Sequence, residues 1–266
     1  GRLEGASVKV DAVVLAGGDG AVIDPNSRFK GLLPIAGKPM VEWVVDALRA
    51  SASIVEIAVV VPTAEDLGPW VDKVDKLVVN DGSFIDKLLA GVRAVRYDRR
   101  VLIATGDLPA LTPEAVDDFV ARSLASGADF TYPLVAKPDM LEQFPGSERS
   151  FIRLADGEVT GGNMMLANPF LLEQNREIGQ RLFDTRKSPV RMAKAIGFRF
   201  VAKLALGRLQ VHEVEAKMGE LLGGPGAAIC TSHASIGADV DKPVDVIVAE
   251  RVLYATVGRS GGQGTE

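Results

Sequence analysis

The chain has 266 residues, 47% of them hydrophobic and 24% charged, the balance of a soluble globular protein with apolar material for one large core. A formal net charge of −5 argues against nucleic acid as a main partner, because phosphate neutralisation needs clustered Lys and Arg. The single cysteine, Cys230, rules out a disulfide framework or a cysteine-based zinc site within one chain, and no stretch approaches the roughly 18 consecutive apolar residues of a membrane span.

Gly1–Ser7 lack the charged-then-apolar order of a signal peptide, so the cytoplasm is the expected compartment. Val8–Ala16 reads as a buried parallel strand, apolar on both faces apart from Lys9 and Asp11 near its entrance. It ends abruptly in Gly17, Gly18 and Gly20, and a polar loop follows. Pro39 then opens a helix that carries Val41, Val44, Val45 and Leu48 at helical spacing. Ile54–Val61 is a second strand, and Lys76–Val79 a short third.

Phe84–Arg96 reads as a helix and Val101–Ala104 as a strand ending in Thr105-Gly106-Asp107-Leu108-Pro109. Thr112-Pro113-Glu114 opens the next helix, with Thr as N-cap and Pro at the first helical position. This alternation predicts an α/β fold with an open, mostly parallel sheet and helices on both faces. Ligands of such sheets sit outside the carboxyl ends of the strands.

Phe130–Val135 is a further strand, followed by an irregular stretch from Lys137 to Ser147 and by Arg149 and Arg153. Thr160-Gly161-Gly162-Asn163 introduces the apolar run Met164–Leu166. Residues 169–222 are expected to form a mainly helical elaboration, with Arg186, Lys187 and Arg191 in its middle and a buried helix from Phe198 to Leu206. A short strand at Ala227–Cys230 and a loop lead to Gly237-Ala238-Asp239-Val240-Asp241, and a last helix is expected over Pro243–Leu253. Residues 8–253 thus read as a single domain, and 254–266 as a disordered tail.

Gly17, Gly18 and Gly20 let backbone amides approach an anion, and Arg28 or Lys30 can fold back against the same phosphates. A Walker loop is excluded because Gly37-Lys38-Pro39 lies far downstream of the first glycines. A dinucleotide fingerprint fails because Ile23 takes the place of the third small residue and Pro25-Asn26-Ser27 breaks any helix.

Leu15-Ala16-Gly17-Gly18, Lys30, Leu33-Pro34, Gly37-Lys38-Pro39-Met40, Gly106-Asp107-Leu108-Pro109, Thr160-Gly161-Gly162-Asn163 and Asp239-Val240-Asp241 form an ordered set. It resembles the MobA-like nucleoside-triphosphate transferases, in their order and over roughly the whole domain. The resemblance implies a GT-A-like, Rossmann-related fold. It also implies transfer of a nucleotide from an NTP to a phosphorylated, anionic acceptor, with pyrophosphate released and Mg2+ as the metal. By position Lys30 and the leading glycines would hold the triphosphate, and Asp107 with Asp239 or Asp241 would hold Mg2+. Val22 stands where many relatives carry an arginine, and Arg28 is the candidate replacement.

Other readings stay open for several residues. Asp107 could be a turn former, and Asp239 or Asp241 a helix-start signal. Gly82 and Ser83, before a helix at another strand end, are nucleotide contacts or a cap. Gly161, Gly162 and Asn163, with Arg149 and Arg153, are candidates for acceptor binding, as are Lys187 and Arg191, although such basic residues also occur on plain solvated faces. His212 and His233 have no partner at metal-ligand spacing. Two further functions are compatible with the pattern: a nucleotide-binding regulatory module without turnover, and a GT-A glycosyltransferase using a nucleotide-sugar. An oligomer is possible on either account, its interface drawn from the helical segment.

Overall fold

The computed structural model describes residues 9–185 and 189–260. The first half alternates strands and helices: β1 (Val10–Leu15), β2 (Pro34–Ile35), β3 (Lys38–Pro39), α1 (Met40–Ala50), β4 (Ile54–Val61), β5 (Lys76–Val79), α2 (Phe84–Ala94), β6 (Val101–Thr105) and α3 (Pro113–Ala125). Then come β7 (Phe130–Ala136), α4 (Lys137–Gln143), β8 (Ile152–Leu154), β9 (Gly157–Gly161) and β10 (Met164–Ala167). Five helices follow, α5 (Pro169–Gln174), α6 (Arg176–Thr185), α7 (Pro189–Ile196), α8 (Phe198–Ala205) and α9 (Val211–Leu222), before β11 (Gly226–Thr231) and α10 (Pro243–Ser260).

Among the described residues nine strands make one sheet in the order β5-β4-β1-β6-β10-β7-β9-β8, with β11 on the other edge of β7. The β5-β4-β1-β6 portion is parallel, as the alternation predicted, and β10 runs antiparallel to both β6 and β7. Because successive strand residues face opposite sides, β1 feeds two cores. Val10, Ala12 and Val14 pack with Val41, Val44 and Leu48 of α1 and Val116 and Phe119 of α3. Val13 and Leu15 pack with Ile85, Leu88, Leu89 and Val92 of α2. The register pairs Leu15 with both Val60 and Thr105, so β1, β4 and β6 end side by side.

Several expectations are corrected. Residues 137–143 are helical rather than irregular: Pro138 sits in the first turn, where a missing N–H costs nothing, and Met140 and Phe144 anchor the segment among Val135, Ala234 and Val248. The helix over Phe198–Ala205 is not buried. It packs on the equally short α7, and Phe198 is 78% exposed. The last helix passes Leu253 and runs to Ser260, into the stretch expected as a tail. Arg186, Lys187 and residues 261–266 lie outside the described residues. Among those described, no helix is long and apolar enough to cross a membrane.

Candidate active site

The glycine loop leaves β1 at the carboxyl edge of the sheet and returns to it through main-chain bonds. Gly18 turns the chain at a φ of +121°, a value that L side chains rarely adopt, and its carbonyl accepts from Lys30 N–H at 2.9 Å. The next amide, Gly31 N–H, donates to the Ala16 carbonyl at 3.2 Å, and a β-carbon at Gly31 would lie 2.6 Å from that same oxygen. Phe29 and Leu33, both buried, pin the flanks of this crossing. A tight turn between β2 and β3, with Ala36 and Gly37 both at positive φ, then aims the chain into α1. Lys30 is thereby held over the ends of β1 and β6.

Asp107 arrives from the other side. Gly106 N–H donates to the Leu15 carbonyl at 2.9 Å, which lays the residues after β6 across the end of β1. Lys30 Nζ donates to Asp107 Oδ2 at 2.5 Å and also to Asp241 Oδ1. Its side chain is 11% exposed. Burial alone would lower the lysine pKa, but the carboxylates of Asp107 and Asp241 overcome this and hold it above the usual value.

Asp239 and Asp241 come to the same place because Val240 N–H donates to the Asp107 carbonyl at 3.0 Å. Neither aspartate caps the last helix. That role falls to the buried Asp245, which accepts from the N–H groups of Asp241 and Lys242, both at 2.9 Å. Asp239 is paired instead with Arg149, whose guanidinium donates both to its carboxylate and to its own carbonyl. Burial raises the Asp239 pKa to about 6, with the Arg149 charge opposing and Asp107 and Asp241 adding to the rise. Burial also pushes Asp241 upward, but the hydrogen bond from Lys30 outweighs it and leaves that carboxyl below its usual value.

Oxygen atoms of Asp107, Asp239 and Asp241 lie within 4.8 Å of one another. Asp107 Oδ1 is buried and lacks a hydrogen-bond partner, although Oδ2 of the same carboxylate is bonded to Lys30. An unpaired buried carboxylate oxygen beside two further carboxylates is a donor set suited to a hard divalent cation.

The remaining predicted residues divide. Asn163 is brought to the site: its carbonyl accepts from Thr105 N–H at 3.1 Å and its N–H donates to Ile236, which sets it beside the end of β6. Gly162 N–H is held by the Pro133 carbonyl at 3.0 Å, and Gly161 closes β9. Arg149 lies behind the carboxylates, clamped on Asp239. Arg153 lies on β8 with its side chain against Gly207. Arg28 turns away from the glycine loop, donating to Asp66 at 2.6 Å and to the Glu65 carbonyl at 3.0 Å. Gly20 shapes the loop by accepting from Ile23 and Asp24.

Ser83 is a capping residue in a complete capping box with Asp86, and Gly82 donates to Asn80 Oδ1 at 2.9 Å. The structure adds a basic side chain that sequence reasoning missed. Lys87, one turn into α2, places its Nζ 3.7 Å from where a β-carbon on Gly17 would stand. Its signal in the sequence was faint: a cation in the first turn of a helix, where the macrodipole favours acids.

A 2-C-methyl-D-erythritol 4-phosphate cytidylyltransferase of Frankia casuarinae is 29% identical over 257 residues, 95% of this chain and 84% of the relative. The bifunctional protein GlmU of Rhodospirillum rubrum is 32% identical over 120 residues, covering 44% of this chain and about a quarter (27%) of that longer protein. Among solved structures, a hypothetical transferase from Thermus thermophilus superposes with a TM-score of 0.80 at 34% identity, over 90% of this chain and all (100%) of the other. A CMP:2-keto-3-deoxy-manno-octonic acid synthetase complexed with CTP shares the fold, with a TM-score of 0.58 at 15% identity over 93% of this chain and 99% of that one. Residues 12–176 match the MobA-like NTP transferase domain, and with that match extending over more than half of its length the chain belongs to this family.

Proposed function

We propose that the protein is a nucleotidyltransferase that moves a nucleoside monophosphate from an NTP to a phosphorylated acceptor. The observation that carries this reading is the convergence of Lys30 with Asp107, Asp239 and Asp241 beside an open glycine loop at the strand ends. The similarity to a 2-C-methyl-D-erythritol 4-phosphate cytidylyltransferase supports it.

In the proposed reaction an acceptor oxygen forms a bond to the α-phosphorus while the bond between that phosphorus and the α–β bridging oxygen breaks. Pyrophosphate leaves with the electron pair. Chemistry of this kind depends on alignment and charge neutralisation rather than on a covalent nucleophile. The amides of Gly17 and Gly18 and the ammonium of Lys30 bind the β- and γ-phosphates and stabilise the charge that grows on them. Asp107, with Asp239 and Asp241, would hold Mg2+, which when bound neutralises part of the charge on the phosphate oxygens. Arg149 keeps Asp239 oriented from behind. Gly161, Gly162 and Asn163, at the far side of β6, border the space proposed for the acceptor.

Incubating the protein with each NTP, Mg2+ and a panel of phosphorylated acceptors should release pyrophosphate, and Asp107→Ala should abolish that release without unfolding the chain. Full turnover by the variant would overturn the assignment of Asp107.

A further inference from the structure

We infer that Lys87 is a second cation of the triphosphate site, supplied by a helix rather than by the glycine loop. This rests on the nucleotidyltransferase reading. The loop itself lacks such a charge: Val22, at the position where an arginine would have been useful, is 70% exposed, and Arg28 is tied to Asp66 and Glu65. Lys30, the first cation of the site, also has to balance the carboxylates of Asp107 and Asp241. A triphosphate cradled by the Gly17 and Gly18 amides therefore needs positive charge from elsewhere.

Lys87 is placed to give it. Its Nζ lies 3.7 Å from the β-carbon position of Gly17, two residues past β1, and Pro62, the residue after β4, lies 3.8 Å from that same position, so the ammonium stands near the carboxyl ends of two adjacent parallel strands. Its ion-pair partner is Asp81, 3.6 Å away and with a side chain 78% exposed, a contact too long and too wet to hold it strongly. The lysine side chain is itself 23% exposed, which leaves a short ammonium-to-ligand path.

Helix energetics point the same way. The capping box of Ser83 and Asp86 satisfies the first turn of α2, so Lys87 contributes nothing to the cap and works against the macrodipole. A residue that opposes its own helix is explained by a ligand: its charge adds to the positive end of α2 just where the glycine loop opens. The ligand this serves is polyphosphate, because the ammonium stands beside Gly17, in the loop whose backbone would cradle phosphate.

The test compares the full-length wild type with Lys87→Met and Lys87→Arg by calorimetry, titrating each of the four NTPs and base-free tripolyphosphate, all with Mg2+. Lys87→Met should weaken the NTP that the wild type binds and tripolyphosphate alike, by about ten- to a hundredfold, the loss of one charge-assisted hydrogen bond. Lys87→Arg should restore most of the affinity, and neither variant should melt below the wild type. If the wild type binds and Lys87→Met binds equally well, Lys87 has no part in the site. A loss for NTP with none for tripolyphosphate would also overturn the phosphate assignment. If the wild type binds no nucleotide, the nucleotidyltransferase reading fails, whatever the variants do.

Discussion

Val240 donates its backbone N–H to the carbonyl oxygen of Asp107 at 3.0 Å. Through that one main-chain bond, two carboxylate-bearing segments distant in sequence are fixed relative to each other. The three aspartates are thus held together at the cost of like-charge repulsion that the fold sustains with Lys30 and Arg149.

Mg2+ should therefore stabilise the folded protein measurably. At a concentration about 100 times its dissociation constant the gain is about 2.7 kcal/mol, seen as a rise in Tm. Asp107→Asn, which keeps the shape but removes the charge, should lose most of that rise. An equal rise in the variant would place the cation elsewhere.

Lys30→Met should act in two opposite directions. Pyrophosphate release should fall by about a hundred- to a thousandfold, the scale for losing one positioned electrostatic donor. Mg2+ binding in the absence of nucleotide should tighten, because Asp107 and Asp241 lose the ammonium that competes for them. Steady-state kinetics and Mg2+ calorimetry on the same preparation check both halves.

Arg149→Met should cost about 3 kcal/mol in urea unfolding, since it leaves Asp239 buried without its partner; the two side chains are only 13% and 14% exposed. Arg149→Lys should recover little of this, because a single ammonium nitrogen does not reproduce the rigid fork in which Nη1 reaches the carboxylate and Nη2 the Asp239 carbonyl. An unchanged unfolding midpoint for Arg149→Met would show that the pair is not structural.

Asp117 offers a pH test far from the site. Its carboxylate accepts from Ser51 Oγ at 2.6 Å, from Ala52 N–H at 3.2 Å and from Ser53 N–H at 3.0 Å, tying the turn after α1 to α3. Burial raises its pKa, but these bonds outweigh burial and set it below the ordinary 3.8. The folded state thus favours the ionised form, so the stabilisation is complete above that ordinary value and fades as pH falls through the depressed one. Asp117→Asn should cost about 1–2 kcal/mol at neutral pH, and its deficit should shrink in that acid window. A deficit independent of pH would assign the loss to packing.

Much of the fold was legible because the parallel strands are apolar on both faces and the helices between them carry clear starts, such as Thr112-Pro113. The antiparallel additions were not. β8 and β9 are a short hairpin whose residues are mostly exposed, so hydrophobic alternation is weak there. The Lys137-Pro138-Asp139 sequence reads as a turn, and only the burial of Met140 and Phe144 makes it a helix. α8 carries an apolar string that looks like core and instead packs on a neighbouring short helix.

In the site, Lys30, Asp107, Asp239 and Asp241 were legible only through the ordered motifs of the family resemblance, since the residues alone left Asp107 open as a turn former and Asp239 or Asp241 as a helix start. The partner choices of arginines were not, since a flexible guanidinium takes whichever acceptor the fold brings near. Arg28 found Asp66 and Arg149 found Asp239.

The meeting of Lys30 and Arg149 with three carboxylates also sets an order of arrival. With all five groups ionised the cluster carries an excess of negative charge, so it repels a naked triphosphate and admits one that travels with its cation. The protein should then discriminate against free NTP, and raising chelator at constant nucleotide should slow association more than it speeds release. Selectivity for the complexed nucleotide would reside in the resting charge of the pocket, before any contact with the base is made.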